Sequence, residues 1–239
     1  DGAEVPVGSY ATYVPELDSI AYGKPVTFRP FINAYQYMKY DADKNEYSNR
    51  SIIFKSWKDE AIDAKGGVRC GKIPAKELAN LSEEERAKQK AIKCYRLIYG
   101  LVSFDGVLPG GADAHVSNLP VLWKVTGSNF KPVGEAIESL RRRGKVMFNH
   151  TLTLKTKKKK AGSNVFYVSD ITVDKDEVSF TDTEKETLLS FQETINTENE
   201  EIVELWRQAK KAEPVVVKAN EAKAVDAELE DDPIEVLSS

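Results

Sequence analysis

The 239-residue chain has little of what most catalytic and metal sites are built from: two histidines and two cysteines. Cys70 and Cys94 are too few for a disulfide scaffold at this length and are expected as buried, reduced thiols of a cytoplasmic protein. No apolar run reaches the roughly 18 residues needed to cross a bilayer, so no membrane partner is expected. Residues 1–20 lack a basic stretch followed by an apolar one, so a secretory signal is not expected either. Without that context, Asn49-Arg50-Ser51, Asn80-Leu81-Ser82 and Asn149-His150-Thr151 are chance matches to the glycosylation triplet.

Motifs that resemble chemistry are incomplete. Cys70, Cys94, His115 and His150 lack the paired short spacing of a structural zinc site. No Gly-x-Ser-x-Gly is present to support a serine hydrolase. Gly66, Gly71 and Lys72 have the spacing of a phosphate-binding loop, but Ile73 stands where magnesium needs Ser or Thr, and Pro74 follows. Asp41, Asp43 and Asn45 imitate a calcium loop, yet Glu46 replaces the required glycine and Ile52 the closing glutamate. Asp174, Asp176 and Glu177 are compact but sit in a segment acidic throughout, which reads as a solvated face. No catalytic residue, metal or cofactor is expected.

What the chain does have is segregated charge. The net formal charge is only −4, but residues 121–160 hold eleven Lys/Arg against two Glu. Residues 170–205 hold twelve acids against two lysines, and residues 212–239 eight acids against two lysines with no aromatic residue. A near-neutral mean thus conceals a basic body and an acidic end.

The organisation reads as α+β. Residues 1–25 are expected as an irregular N-terminal arm. Val26–Phe31 and Tyr47–Trp57 favour strand, with a polar turn at Asp41–Glu46 between them. Ser82 with Glu85 fits a capping box for a helix over 83–93, and Cys94–Phe104 is strand-like. A loop at 105–118 and a strand at 119–126 come next. Pro132 opens a helix to Arg143 with Val133, Ala136, Ile137 and Leu140 on one face, and Gly144 closes it. Lys145–Lys155 and Asn164–Val173 predict a β-hairpin with a lysine-rich tip. An acidic helix over about 182–211 docks through Leu188, Phe191, Ile195, Ile202, Leu205 and Trp206. The expected whole is one sheet-centred domain over 26–211, either an OB-like barrel or a divergent sheet with helices. A disordered acidic tail over 212–239 completes it.

Single-stranded nucleic acid is held by cations that follow phosphates and by rings on which bases stack. Both ingredients are interleaved here. Phe28, Phe31, Phe54 and Phe148 are expected in the core, whereas Tyr35, Tyr37, Trp57, Tyr95 and Trp123 are candidate stacking rings. Period-two alternation in Ser51–Trp57 puts Lys55 and Trp57 on one face, with Lys58 just beyond. The accompanying cations are Arg69, Lys72, Arg96, Lys124, Lys131, Arg141, Arg142, Arg143, Lys155, Lys157, Lys158, Lys159 and Lys160. Single-stranded DNA is therefore the expected partner, bound largely without sequence preference. A second reading is a protein-interaction module whose basic face meets an acidic partner or an RNA polymerase. In the tail, Asp231, Asp232, Ile234, Glu235 and Leu237 form an acidic–hydrophobic peptide suited to a partner protein. Self-association into a homo-oligomer stays open.

A basic aromatic body with an acidic tail resembles bacteriophage and bacterial single-stranded-DNA-binding proteins. The segments Tyr95–Val102 (YRLIYGLV) and Leu119–Pro132 (LPVLWKVTGSNFKP), with the hairpin after them, are similar to phage replication and transcription proteins. The resemblance covers about residues 24–210 and implies a β-rich fold, no catalysis and a place in the host-cell cytoplasm. It also implies contacts with replication or transcription proteins, since some such proteins serve as cofactors of a viral RNA polymerase. Bacterial tails end in an aromatic residue after their acids, whereas Leu237-Ser238-Ser239 stands here. The resemblance therefore does not extend to the usual bacterial repair partners.

Overall fold

A computed structural model describes residues 6–70 and 75–212. Ten strands and four helices follow one another in it: β1 (Tyr10–Val14), β2 (Ser19–Gly23), β3 (Val26–Asp41), β4 (Glu46–Arg50), β5 (Glu60–Ile62), β6 (Val68–Cys70), α1 (Ala75–Asn80), α2 (Glu83–Ala91), β7 (Lys93–Val107), β8 (Asp113–Val125), α3 (Phe130–Arg142), β9 (Leu152–Ala161), β10 (Asn164–Val173) and α4 (Asp182–Ala212). Eight strands form one antiparallel sheet in the order β1-β2-β7-β3-β9-β10, with β4 added to β3 and β8 to β7; β5 and β6 form a separate pair. The α+β, sheet-centred expectation holds. Among the described residues no sheet closes on itself, so the architecture is an open sheet with helices rather than an OB-like barrel.

The sheet is organised by β3 and β7, which pair from Thr27↔Ser103 to Met38↔Lys93. Alternation sends Phe28 to one face and Phe31 to the other, and the bulge between Pro30 and Ile32 moves Ile32 and Ala34 to the face of Phe31. On one face Val26, Phe28, Ile98, Val102 and Phe104 meet Val133, Ile137 and Leu140 of α3, together with Leu152 and Leu154 of β9. On the other, Ala34, Met38, Leu97 and Tyr99 meet Phe191 and Ile195 of α4. Strands covered on both sides lose period-two alternation, which is why β3 and β7 read as nearly continuous apolar and aromatic runs.

Polar clamps fix α4 along its length. Buried Arg29 donates to Glu184, to the Phe148 carbonyl at 2.8 Å and to the Ser179 carbonyl at 2.9 Å. Further along, Glu198 accepts from Gln36 at 2.8 Å, and Arg50 reaches Glu198 at 3.4 Å and Glu201 at 3.0 Å. Asn199 brackets Ile53, accepting from its N–H at 2.6 Å and donating to its carbonyl at 3.0 Å. Ile202 is fully buried beside these contacts, while Leu205, expected on the docking face, is exposed.

The capping box at Ser82 and Glu85 forms as its sequence predicts, and the apolar stripe of α3 is buried. Three other expectations are corrected. Residues 10–23 are not an irregular arm: β1 and β2 make a hairpin that joins the sheet through Tyr22↔Val107. The loop expected at 105–118 shrinks to residues 108–112, because β7 and β8 pair out to Val107↔Asp113. The lysines expected at a hairpin tip lie instead along β9, opposite Val168, Tyr167, Phe166 and Val165, and the turn itself is Gly162-Ser163.

Gly100 of β7 stands opposite Pro30 of β3, and an added Cβ would sit 2.2 Å from the Arg29 carbonyl oxygen. Gly100→Ala is expected to lower unfolding free energy by about 3 kcal/mol, the upper end of overpacking costs. A lower urea midpoint with an unchanged slope is the measurement that checks it.

Candidate nucleic-acid interface

β9 pairs with β3 only from Leu152 to Leu154; from Lys155 outward its sole described partner is β10. The two strands therefore leave the sheet as a ribbon. Opposed residues of an antiparallel pair share a face. Register accordingly puts Lys155, Lys157 and Lys159 with Phe166 on one face, and Lys158 and Lys160 with Tyr167 on the other. Lys155 and Lys157–Lys160 are all exposed, and Phe166 and Tyr167 are half-buried. Lys157 meets Asp170 at 2.7 Å, and the same Asp170 stands opposite Lys155 in register; among the described residues Lys155, Lys158, Lys159 and Lys160 have no carboxylate within ion-pair distance. No core contact accounts for these four cations. Lys24 lies 6.0 Å from the Tyr167 ring centroid and adds a fifth positive charge at the ribbon's inner end.

The ribbon is anchored at its root. Thr156 Oγ1 donates to the Gly8 carbonyl at 2.6 Å, and the Tyr10 hydroxyl donates to the Lys155 carbonyl at 3.2 Å. Burial is the main cause that pushes the Tyr10 phenol above its ordinary range.

Several predicted interface residues are structural instead. Tyr35 and Tyr37 are buried and stack against Phe54 with ring centroids 6.1 and 5.1 Å apart. Arg96 is buried between the Tyr35 and Phe130 rings, 4.9 Å from each centroid, and donates to Asn33 at 2.9 Å. Gly134 of α3 makes room for that guanidinium: a Cβ there would lie 2.5 Å from Arg96 Nη2. Trp123 packs edge-on to Phe28 and Tyr10 and belongs to the core rim. The alternation expected through Ser51–Trp57 fails, because Ile53 and Phe54 are both buried. Lys55 is exposed while Trp57 is half-buried against the Tyr37–Phe54 cluster, with Lys58 Nζ 5.9 Å from its ring.

Other cations are already occupied. Arg69 meets buried Asp63 at 3.3 Å, Lys131 meets Glu135 at 3.7 Å, and Arg141 meets Glu138 at 2.6 Å. Arg143 donates to the Ser139 carbonyl at 3.1 Å and hydroxyl at 3.0 Å, and Arg142 is exposed. Arg141, Arg142 and Arg143 end α3, where positive charge suits the helix dipole. Tyr95 and Lys124 come together at the far end of β7 and β8, beside Tyr47, a ring the sequence reading did not single out. Lys72 and the tail residues Asp231, Asp232, Ile234, Glu235 and Leu237 lie outside the described residues.

Among the described residues no three His, Cys, Asp or Glu side chains are grouped to hold a metal. His115 is exposed beside Asp105 at 2.6 Å, and His150 is buried with neither ring nitrogen hydrogen-bonded. Asp174 accepts from Thr151 and Thr153, while Glu177 pairs with Lys145, which holds its carboxyl below the usual range. Burial pushes the Cys94 thiol up to about 12 and removes its nucleophilic form at neutral pH. Among the described residues no helix is long and apolar enough to cross a membrane. No protein-family model matches the chain, and no curated protein or solved structure matches it at a significant level.

The ring sandwich and the ribbon are separable by mutation. Arg96→Ala is expected to cost about 3 kcal/mol, from two desolvated cation–π contacts and one charged hydrogen bond, and Arg96→Lys should recover little of it. The triple substitution Lys158→Ala, Lys159→Ala and Lys160→Ala should leave stability within about 0.5 kcal/mol of the parent. Urea unfolding of the three proteins checks both.

Proposed function

We propose that the chain binds single-stranded DNA, largely without sequence specificity, and that the β9–β10 ribbon is its principal phosphate contact. The observation that carries this reading is the set of ammonium groups at Lys158, Lys159 and Lys160, without an ion-pair partner among the described residues and displayed on both faces of a strand pair that has left the sheet. A two-faced basic ribbon can track a flexible backbone from either side. Half-exposed Tyr167 and Phe166 between the lysines offer π-faces to unstacked bases. The sequence resemblance to phage single-stranded-DNA-binding proteins points the same way. On this reading the protein acts in replication, recombination or transcription without catalysis. The acidic tail then offers Asp231–Leu237 to a protein of that machinery.

Fluorescence anisotropy of a labelled oligo(dT) and a duplex of equal length, each titrated at two salt concentrations, tests the proposal. Affinity for the single strand should exceed that for duplex and fall steeply with salt, since each phosphate neutralised releases a counterion. Replacing Lys158, Lys159 and Lys160 with Ala should weaken binding to every sequence and flatten the log–log salt slope by about 2, at about 0.7 per phosphate. Equal or better binding to duplex, or an unchanged affinity in the triple variant, would sink the assignment.

A further inference from the structure

Tyr47 of β4 touches Tyr40 of β3 and Tyr95 of β7 edge-on, forming a row of three rings, and Lys124 of β8 lies over the middle ring, Tyr47. Ring centroids are 5.4 Å apart between Tyr40 and Tyr47 and 6.2 Å apart between Tyr47 and Tyr95, and Lys124 Nζ lies 4.8 Å from the Tyr47 centroid. Tyr40 is 47% exposed and Tyr47 39%, while Tyr35, Tyr37 and Tyr99 of the same strand pair are buried. Cross-strand pairing explains why Tyr40 and Tyr47 touch, and Tyr47 reaches Tyr95 across β3. It does not explain why they stand at the surface with a lysine over them. The charge around the row nearly cancels, with Lys39, Lys93 and Lys124 against Asp41 and Glu46, so the row is no phosphate site in its own right.

We infer that Tyr40, Tyr47, Tyr95 and Lys124 are a base-stacking platform for single-stranded DNA, separate from the lysine ribbon. The inference rests on the reading that the chain binds single strands. Rings placed on adjacent strands of a sheet can receive successive unstacked bases, and stacking tolerates every base because each has a π-face. Lys124 covers Tyr47 in the free protein; an arriving base takes that place and leaves the ammonium beside the backbone. Duplex bases are already stacked on one another and cannot reach the rings. The platform therefore adds, beyond what Phe166 and Tyr167 of the ribbon contribute, a preference for single strands that phosphate contacts do not supply.

The test compares oligo(dT) with an abasic strand of the same length, which keeps the phosphates and lacks the bases. The full chain should bind oligo(dT) at least about tenfold more tightly than the abasic strand. Tyr40→Ala with Tyr47→Ala should erase most of that preference while leaving the affinity for the abasic strand and its salt slope unchanged. Tyr40→Phe with Tyr47→Phe should retain the preference and serves as the folded reference. Tyr47→Trp gives an independent readout: the added indole should be quenched by oligo(dT) and not by the abasic strand. Equal affinity of the parent for both probes, or an alanine variant with the parent's preference, overturns the platform, as does an indole quenched by neither probe. Weaker binding of ribbon variants to both probes with the preference kept supports it. Absence of binding to either probe at low salt removes the underlying DNA-binding reading as well.

Discussion

Almost everything in this structure depends on two long strands, β3 and β7, that are covered on both faces. Their pairing is tight enough at Gly100 that no side chain fits against the Arg29 carbonyl. Alternation ahead of the bulge points Arg29 towards α4 while Phe28 points into the opposite core. A sheet buried on both sides needs two covering layers, and the chain supplies α3 for one and α4 for the other. Losing either layer would expose a surface of Phe, Leu, Ile and Tyr to water, so the polar clamps on α4 have a hydrophobic reason to exist.

That layering converts a pattern along the sequence into one in space. The basic segment becomes α3 and the β9–β10 ribbon, whereas the acidic segment becomes α4 on the other side of the sheet. Part of the acidity is consumed internally, since Glu184, Glu198 and Glu201 meet Arg29 and Arg50. Many of the basic groups are likewise neutralised where they stand, as Arg141, Lys131 and Lys157 show. The distal lysines of the ribbon escape this compensation. Charge count alone therefore misjudges the surface, and unpaired charge is the better guide to what it can meet.

Three of the four helices and the late hairpin were legible in the sequence because local rules govern them, whereas α1 was not expected. Ser82 and Glu85 cap reciprocally over one turn, and Val133, Ile137 and Leu140 repeat at helical spacing. Less legible was which side of each ring and cation faces water. Arg96 beside Tyr95 reads the same whether its guanidinium is inside or outside; only Gly134, far along the chain, makes space for it. Tyr35 and Tyr37 resemble surface stacking rings until the bridge from Tyr35 to Phe54 folds a second layer over them. The β1–β2 hairpin was missed because Pro15 and a left-handed Asp18 make its connection, not a two-residue glycine turn. Tyr40 and Tyr47 were overlooked as a pair because they lie on two different strands; the turn between them, not a sequence period, sets their contact.

The anchorage of the ribbon at Gly8 and Tyr10 makes it a cantilever rather than a tether. Its inner end is held by a hydroxyl on each side, Thr156 to one carbonyl and Tyr10 to another, while the outer strand pair carries its charge unsupported. The first strand of the chain, which bears none of that charge, therefore governs where the charge is aimed.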